Sequence, residues 1–467
     1  MDADVLVVGA GPAGLSAAAE LRRLGVRRVV VADREAAAGG VPRHSRHAGY
    51  GLRDLHRLLS GPSYARVLTD TAARAGAQLR TGSTVTGLRA RGEGLSAVLT
   101  SAAGIEEVHA PAVLLTTGCR ERPRAARLVP GDRPSGVLTT GELQQRVYLG
   151  GERLEGRALV VGAEHVSFSA ALTLAHAGAR VLALVTDQPR HASYAAFRLG
   201  AALRWRVPVW TSATVTRVAG AAGRLTAVDL ADVAGMAGLD TVAGLDSLAG
   251  MAGGRARTVA CEWLVFTGDW IPDHELARTA GVTLDAGTRG PAIDTSMATS
   301  TPGVFAAGNL VHAAETADVA ALSGRHAARQ IAAYLQAGPP AQPPSPDPAV
   351  APAQAAAPVP VIADPPLHWI SPNAIAVGVT RVGSTSDGTA AVPPPLGRFA
   401  IRAAEYQQRA TLEARQDGRL LARSRPLRLI PGRPVHLHAS WLASVDPAGG
   451  PVRVGAGRNH LATGRPR

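Results

Sequence analysis

The chain of 467 residues is basic, with 49 basic residues against 36 acidic ones and a formal charge of +13. All of these basic residues are arginines, scattered along the chain rather than grouped. This pattern favours anionic small ligands such as nucleotides over nucleic acid. The only cysteines, Cys119 and Cys261, lack metal-binding or redox spacing, so the sequence predicts no disulfide framework, metal site or iron–sulfur cluster.

No apolar run is long enough to span a bilayer, and the first residues lack the basic and apolar regions of a signal peptide. A cytoplasmic protein without a membrane span is therefore expected. The length allows two or three domains. A hydrophobic content of 46% with 52 glycines is typical of a turn-rich α/β protein.

The first motif is a glycine fingerprint near the N-terminus. An apolar run at residues 4–8 leads into Gly9, Gly11 and Gly14, and an Ala/Leu-rich helical pattern follows. These glycines permit a tight turn, close approach of a pyrophosphate and close helix packing, so a dinucleotide-binding fold is predicted. The next predicted strand ends at Asp33, which would accept hydrogen bonds from the adenosine ribose. A simple glycine turn with a solvated acid is the alternative.

Five further segments extend this pattern. They are Gly39-Gly40, the run from Val41 to Leu55, Leu114–Gly118, Gly136–Gly141 and Thr301–Asn309. With the fingerprint, they resemble the FAD-binding half of the pyridine nucleotide–disulfide oxidoreductase superfamily over residues 1–335. Within that superfamily, the chain is most similar to the FAD-containing α subunits of amino-acid and opine dehydrogenases and of hydrogen cyanide synthase, which oxidise C–N bonds.

The resemblance implies FAD as cofactor and a set of residues around it. These are Gly9, Gly11, Pro12, Ala13, Gly14, Asp33, Arg34, Gly40, Thr117, Gly118, Gly308, Asn309, Ala317 and Asp318. Asn309 replaces an Asp that binds the flavin ribitol in the family, and an amide can make the same contact. The helix that follows is expected to point its N-terminus at the flavin. Asp318 also fits an ordinary first-turn acid of that helix.

Four residues are candidates for acid–base groups at the flavin: His312, Glu315, His44 and His47. For a histidine in a polar loop, surface hydrogen bonding is the alternative. Disulfide reduction is not expected, because the chain lacks the paired cysteines that relay electrons in the disulfide reductases.

A second strand–turn–helix begins at Arg157, where relatives bind NAD(P)H. Its fingerprint is altered, since Glu164 and Ser167 replace the second and third glycines. A side chain there blocks the approach of a pyrophosphate, and a carboxylate repels it. Asp187 and Arg190 stand where a ribose and a 2′-phosphate would be bound, so NAD(P) binding stays open.

The sequence therefore predicts an α/β fold with two Rossmann-like dinucleotide-binding domains and a small β-rich C-terminal domain. The FAD domain is discontinuous, at residues 1–120 and 285–337, and the NAD(P)-binding-like domain takes 121–284 with a low-complexity insert at 232–255. A Pro/Ala-rich linker at 338–366 leads to the β-rich domain at 367–467. This last domain could cap the active site, mediate oligomerisation or bind a partner.

The leading functional prediction is an FAD-dependent dehydrogenase or oxidase that takes hydride from a small amine or amino acid to flavin N5. An NAD(P)H-dependent flavin reductase is one alternative. The other is an FAD-holding subunit with little activity outside a hetero-oligomer. The expected partners are a small-molecule substrate and either a partner subunit or a second copy of the chain.

Overall fold

The computed structural model describes residues 1–92, 94–190, 193, 207–233, 256–338, 357–379 and 389–458. These residues form two compact units. The first unit comprises Met1–Arg43, Ala48–Cys119 and Pro272–Arg467, and the second comprises His44–His47 and Arg120–Ile271. Apart from the short segment His44–His47, the chain passes between the units within two short strands, Cys119–Glu121 and Trp270–Pro272.

A five-stranded parallel sheet forms the centre of the first unit. Its strands, in spatial order, are Val304–Ala306, Ala112–Leu115, Val5–Val8, Val29–Ala32 and Gln78–Arg80. The three central strands are fully buried and consist of Val, Leu and Ala, as expected for a parallel sheet covered on both faces. The helices of this unit are Pro12–Arg23, Gly61–Arg74, Glu275–Thr279 and Ala317–Ala337, here called the first helix, the second helix, the short helix and the long helix.

Two smaller sheets accompany the parallel sheet. One is an antiparallel meander of Ser83–Arg91, Gly94–Ser101 and Gly104–Ala110, and the other pairs Ala48–Tyr50 with Leu59–Ser60. Single 3₁₀ turns occur at Val41–His44 and Gly308–Leu310. The meander extends the hydrophobic core of the parallel sheet, since Leu88, Leu95 and Leu99 are buried in it.

The C-terminal β region of the first unit has its own core. One sheet contains Ala374–Ile375, Val359–Ala363, Val452–Arg458, Gln407–Gln416 and Arg419–Arg423 in this order, with Leu427–Leu429 also paired to Gln407–Gln416. A second contains Leu367–Ser371, Arg398–Ala403 and Val435–His438, and a third pairs Val377–Val379 with Thr389–Ala391. Phe399 and Trp441 stack at 5.4 Å within the core. Short 3₁₀ turns lie at Pro395–Gly397 and Leu442–Ser444.

The second unit also centres on a five-stranded parallel sheet. Its order is Val137–Thr139, Trp263–Phe266, Arg157–Val161, Arg180–Val185 and Val209–Trp210. Its helices are Thr140–Tyr148 and His165–Ala177, with a 3₁₀ turn at Arg124–Arg127. An antiparallel meander of Ala213–Ala221, Arg224–Asp232 and Arg257–Ala260 is joined to it.

Two segments differ from the simple sequence pattern. The strand Val359–Ala363 forms within the predicted linker, because Val359 and Val361 are buried in the C-terminal β core. Most of the predicted insert at 232–255 lies outside the described residues. Among the residues that are described, no helix combines the length and the apolar character needed to cross a bilayer.

Candidate functional site

The glycine fingerprint forms a tight turn against the neighbouring strand. Gly9 has φ +106°, and a Cβ atom on it would lie 2.4 Å from the carbonyl oxygen of Thr116. A Cβ on Gly14 would lie 1.9 Å from the carbonyl oxygen of Gly9. Thr116 Oγ1 also lies 2.9 Å from the carbonyl oxygens of Val8 and Gly9. Two of the three fingerprint glycines are therefore required by packing, and Thr116 is a supporting residue that the sequence pattern did not identify.

Gly11 differs from its neighbours because the space above it is open. It is the N-cap of the first helix without a side-chain cap, Pro12 occupies the first turn, and a Cβ on Gly11 would meet no protein atom within 4 Å. The N–H groups of a first helical turn lack partners within the helix and carry the positive end of its dipole. Gly40 closes one side, since its Cβ would lie 2.9 Å from Gly11 Cα. This open cradle fits the pyrophosphate of a dinucleotide.

Asp33 braces the same turn. Its Oδ2 accepts a hydrogen bond from the Ala10 N–H at 2.5 Å, and its Oδ1 accepts one from the Glu35 N–H at 2.8 Å. A carboxylate retains acceptor capacity after two such bonds, so ribose hydroxyls can still be bound. Arg34 lies 3.4 Å from Asp273 Oδ2.

The predicted residues Thr117 and Gly118 lie at the end of the strand Ala112–Leu115. Thr117 Oγ1 donates to the carbonyl oxygen of Asp273 at 2.7 Å. The Asp273 N–H donates to the carbonyl oxygen of Gly118 at 2.9 Å. Gly118 has φ +78°, and a Cβ there would meet nothing within 4 Å. The two residues therefore fix the return segment that begins at Pro272.

The long helix begins next to the first helix. A Cβ on Gly308 would lie 2.8 Å from Ala13 Cβ, and one on Gly324 would lie 2.1 Å from the Ala13 carbonyl oxygen. The glycines thus allow the two helices to approach closely. The N-cap of the long helix, Thr316, makes no side-chain cap, so this helix also begins with main-chain donors that its cap does not satisfy.

Asp318 lies in the first turn of the long helix, which begins at Ala317, and its carboxylate binds Arg53 of a distant loop. It is 3% exposed, accepts a hydrogen bond from the Arg53 N–H at 3.2 Å and pairs with the Arg53 guanidinium at 3.3 Å. Thr316 Oγ1 is hydrogen-bonded to the same carboxylate. Asp318 therefore ties the loop around Arg53 to the beginning of the long helix.

The following loop residue, Asp54, is held by Tyr64, whose hydroxyl donates to Asp54 Oδ2 at 2.6 Å. Burial raises the pKa of Asp54, even though the Tyr64 hydrogen bond opposes the shift. Arg325 of the long helix donates to the Asp54 carbonyl oxygen at 3.2 Å. The loop 51–58 is thus attached to both the second helix and the long helix.

Asn309 closes the loop that precedes the long helix. Its Nδ2 donates to the Glu315 carbonyl oxygen at 3.0 Å, and its Oδ1 accepts from the Glu315 N–H at 3.1 Å. An aspartate could accept but not donate, so the amide found here is suited to this double contact. Flavin binding by Asn309 stays a prediction. A flavin contact would use the same Nδ2 and Oδ1 atoms that bind the Glu315 main chain.

Glu315 is the centre of a charged cluster. Its Oε1 lies 3.3 Å from His436 Nε2 and 3.8 Å from His312 Nε2. Burial by itself would raise the pKa of Glu315, but the interactions with His312 and His436 outweigh burial and hold the pKa well below its usual range. The carboxylate is therefore ionised throughout the neutral range. His312 and Glu315, both predicted as candidate acid–base groups, lie close together in the structure, and their acid–base role stays a prediction. The sequence carried no signal for His436, which lies 121 residues from Glu315 in the C-terminal β region.

His44 and His47 belong to the second unit, whereas His312 and Glu315 belong to the first. His44 is buried at the end of the 3₁₀ turn Val41–His44, and His47 is half-buried. Both histidines make contacts of their own within the described part of the chain. An acid–base role for this pair stays a prediction.

The second fingerprint is closed by its own glutamate. Glu164 is the N-cap of the helix His165–Ala177, and its Oε2 accepts from the Ala163 N–H at 2.7 Å. A Cβ on Gly268 would lie 1.8 Å from Glu164 Oε1, so the loop after Phe266 packs directly on the carboxylate. Burial raises the pKa of Glu164. The carboxylate thus occupies the turn where a pyrophosphate would lie, and the residues present do not fit that group.

Ser167, the other replaced glycine, is also used internally. Its Oγ accepts from the Glu164 N–H at 3.2 Å and lies 2.6 Å from Thr267 Oγ1. Asp187 contacts the neighbouring Gln188 at 3.2 Å. Nearby, Glu121 accepts from the Gly141 N–H at 2.8 Å, and burial raises its pKa to about 7.

Comparison with known proteins decides the family. The family model described as pyridine nucleotide-disulphide oxidoreductase matches residues 3–324. The chain belongs to this family. It is also similar in fold to solved members, since the T. acidophilum thioredoxin reductase aligns with a TM-score of 0.57 over 71% of this chain and 98% of that one, at 22% identity.

Three curated relatives match parts of the chain. An opine oxidase component from Agrobacterium tumefaciens (strain Ach5) is 32% identical over 38% of this chain and 35% of the relative. The alpha chain of sarcosine oxidase from Corynebacterium sp. (strain P-1) is 30% identical over 49% of this chain and 24% of the relative. A hydrogen cyanide synthase component from Pseudomonas aeruginosa is 35% identical over 38% and 37%. The chain thus spans between about a quarter and about two-fifths of the length of these relatives.

These matches confirm the predicted family, the α/β fold with dinucleotide-binding units and a β-rich C-terminal region, and an FAD-dependent oxidoreductase. FAD is the cofactor of the family, and NAD(P) is also typical of it. The cradle at Gly11 fits FAD in this chain, whereas the corresponding turn at Glu164 does not fit NAD(P).

Proposed function

We propose that this flavoprotein oxidises a small amine or amino acid and takes electrons directly from that substrate. The observation that carries the proposal is the contrast between the two fingerprints. The turn at Gly11 is open, whereas the turn at Glu164 is filled by a buried carboxylate. The chain also lacks the paired cysteines through which disulfide reductases pass electrons. These features favour an organic substrate that passes its electrons directly to the flavin.

FAD would be held by the two helix N-termini and the turns around them. Gly9, Gly11 and Gly14 form the pyrophosphate cradle with the first turn at Pro12 and Ala13, Asp33 accepts from the ribose, and Gly40 bounds the cradle. Near the long helix, Gly308, Asn309 and Ala317 provide main-chain and amide groups. Positive ends of helices favour an anion close by, which suits both the pyrophosphate and a flavin that gains negative charge.

When bound, FAD would accept a hydride, which carries one proton and two electrons. Oxidation of a C–N bond also releases a proton, so the substrate becomes an imine by losing a hydride and a proton in total. His312 is suited to accept that proton, because neither of its ring nitrogens has a hydrogen-bond partner among the described residues. Glu315 would stabilise the imidazolium that forms, from 3.8 Å.

A second candidate is an FAD-holding subunit of a larger enzyme. Each of the three curated relatives is named as a subunit, and this chain matches only part of each. This candidate predicts full FAD binding with negligible reduction by any substrate until a partner protein is added. The partner would then complete the site or remove the electrons.

The test is anaerobic reduction of the FAD-loaded protein, followed in the visible flavin band. The panel contains NADH, NADPH, and small amines and amino acids. We expect bleaching by at least one amine or amino acid and none by either nicotinamide nucleotide. Rapid bleaching by NADH or NADPH would overturn the proposed electron source, and absence of bound FAD after reconstitution would overturn the cofactor assignment.

A further inference from the structure

The C-terminal β region is joined to the FAD-side fold by a specific interface within the first unit. The Ile293 N–H donates to Asn373 Oδ1 at 3.2 Å, and the Asn373 N–H donates to the Ile293 carbonyl oxygen at 2.8 Å. The Ala376 N–H donates to Thr295 Oγ1 at 2.9 Å. These bonds join the region to the segment 293–295, and the Thr295 carbonyl oxygen lies 2.9 Å from His326 Nε2 of the long helix.

A narrow cleft lies at this junction, here called the Arg398 cleft. Its FAD-side wall is largely apolar and contains Ile293, Met297, Val311, Val319 and Ala320. The C-terminal β region supplies Arg398, Ala400 and His436 to the opposite wall. His312 and Glu315 also line the cleft. The C-terminal region therefore contributes polar side chains to a cleft that the FAD-side residues alone would leave incomplete.

Two polar side chains of the cleft, those of Arg398 and His312, make no hydrogen bond to the described residues, although His312 lies 3.8 Å from Glu315. The Arg398 side chain has neither a hydrogen bond nor an ion pair with the described residues, although it is half-buried. Neither ring nitrogen of His312 has a hydrogen-bond partner in the same set of residues, and both are buried. By contrast, Glu315 and His436 bind each other at 3.3 Å. A half-buried guanidinium without an anion costs free energy, which a bound carboxylate would recover.

We propose that the Arg398 cleft binds a small amine that carries a carboxylate, with Arg398 holding the carboxylate and His312 contacting the amine nitrogen. A guanidinium matches a carboxylate through two parallel hydrogen bonds, and the apolar wall strengthens them by excluding water. The enclosed part of the cleft is only about 40 Å³, so it can take the carboxylate end of the ligand, and the rest of the ligand would extend outside it. The inference rests on the proposed function, because it identifies the carboxylate-bearing members of that substrate class.

Binding is tested by calorimetric titration of the FAD-loaded full chain with matched pairs of ligands. Glycine is compared with methylamine, sarcosine with dimethylamine, and proline with pyrrolidine. We expect at least one carboxylate member to bind about tenfold or more tightly than its partner amine, as for a charge-assisted hydrogen bond. Arg398→Met should abolish that preference, and Arg398→Lys should retain part of it.

Arg409→Met is the matched control, because Arg409 is an exposed arginine of the same β region that does not line the cleft. This variant should keep the wild-type preference. FAD stoichiometry and far-UV circular dichroism establish that each variant is folded. If Arg398→Met does not fold, the comparison rests on Arg398→Lys, whose preference should lie below that of wild type.

The outcomes separate this inference from the proposed function. Equal binding of both members of every pair by wild type would overturn the cleft assignment, as would an unchanged preference in Arg398→Met. Flavin reduction by an amino acid with wild-type kinetics in both Arg398 variants would also overturn it while leaving the proposed function intact. Tight carboxylate binding without flavin reduction would support the cleft and count against the proposed function.

Discussion

Replacing Gly11 with alanine separates FAD binding from folding. The backbone at Gly11 has φ −80° and ψ −173°, which alanine adopts without strain, and the new Cβ would meet no protein atom within 4 Å. The apo protein should therefore be as stable as wild type or slightly more stable, by about 0.4–1 kcal/mol, because alanine restricts the unfolded chain. The methyl group would instead occupy space needed by the pyrophosphate.

Gly11→Ala is expected to weaken the binding of FAD. Weakening one charge-assisted hydrogen bond costs about 1.5–3 kcal/mol, which corresponds to a loss of about 10- to 100-fold in FAD affinity. Titration of apo protein with FAD, followed by flavin fluorescence, measures the affinity, and urea unfolding of the apo protein measures stability. A folded Gly11→Ala protein with wild-type FAD affinity would refute the assignment of the cradle.

Gly14→Ala is the contrasting variant from the same fingerprint. Its Cβ would lie 1.9 Å from the Gly9 carbonyl oxygen and 2.7 Å from Thr116 Oγ1, so the turn itself must shift. We expect the apo protein to lose about 1–3 kcal/mol, as for overpacked cores. Gly87→Ala is the control, since its Cβ would make an ordinary 3.6 Å contact with Val98. Equal apo stability of the two fingerprint variants would contradict this difference.

Three other predictions concern polar side chains that are held by main-chain groups. Burial raises the pKa of Glu121 from 4.5 to about 7. The folded state therefore binds more protons between these values, and stability should fall by about 3 kcal/mol as pH rises through that window. Glu121→Gln should flatten this dependence in urea unfolding at pH 5 and pH 8, and an unchanged slope would count against it. Glu164→Gly removes the carboxylate from the second turn and should increase the affinity for NADH in a fluorescence titration. Equal NADH affinity of wild type and Glu164→Gly would refute the idea that Glu164 excludes the nucleotide. Asn309→Ala removes both contacts with the Glu315 main chain; amide hydrogen exchange at Glu315 should become faster, and unaltered exchange would show that the loop is held by other groups.

The local elements of the FAD fold follow from residues that are close together in the sequence. Glycine spacing, the Pro12 that begins a helix and the apolar run before Gly9 act over a few residues, so their structural consequences can be read from order along the chain. The altered second fingerprint is equally local, because Glu164 and Ser167 lie within one helical turn of each other. The helix predicted after Asn309 is likewise present as Ala317–Ala337, with Asp318 in its first turn.

Contacts between side chains that are far apart in the sequence depend on the packing of the fold. Asp318 was predicted as an FAD-binding residue or a first-turn acid of the helix, and nothing in the sequence indicated that its buried carboxylate pairs with Arg53, 265 residues earlier. His436 and Arg398 carried no motif, since a histidine or arginine on a short strand is common and only packing brings it to Glu315 or to a cleft. Spacing along a chain predicts contacts within one element, whereas contacts between elements depend on how buried surfaces pack. The C-terminal β region therefore acquired its proposed role in the Arg398 cleft from the fold and not from the sequence pattern.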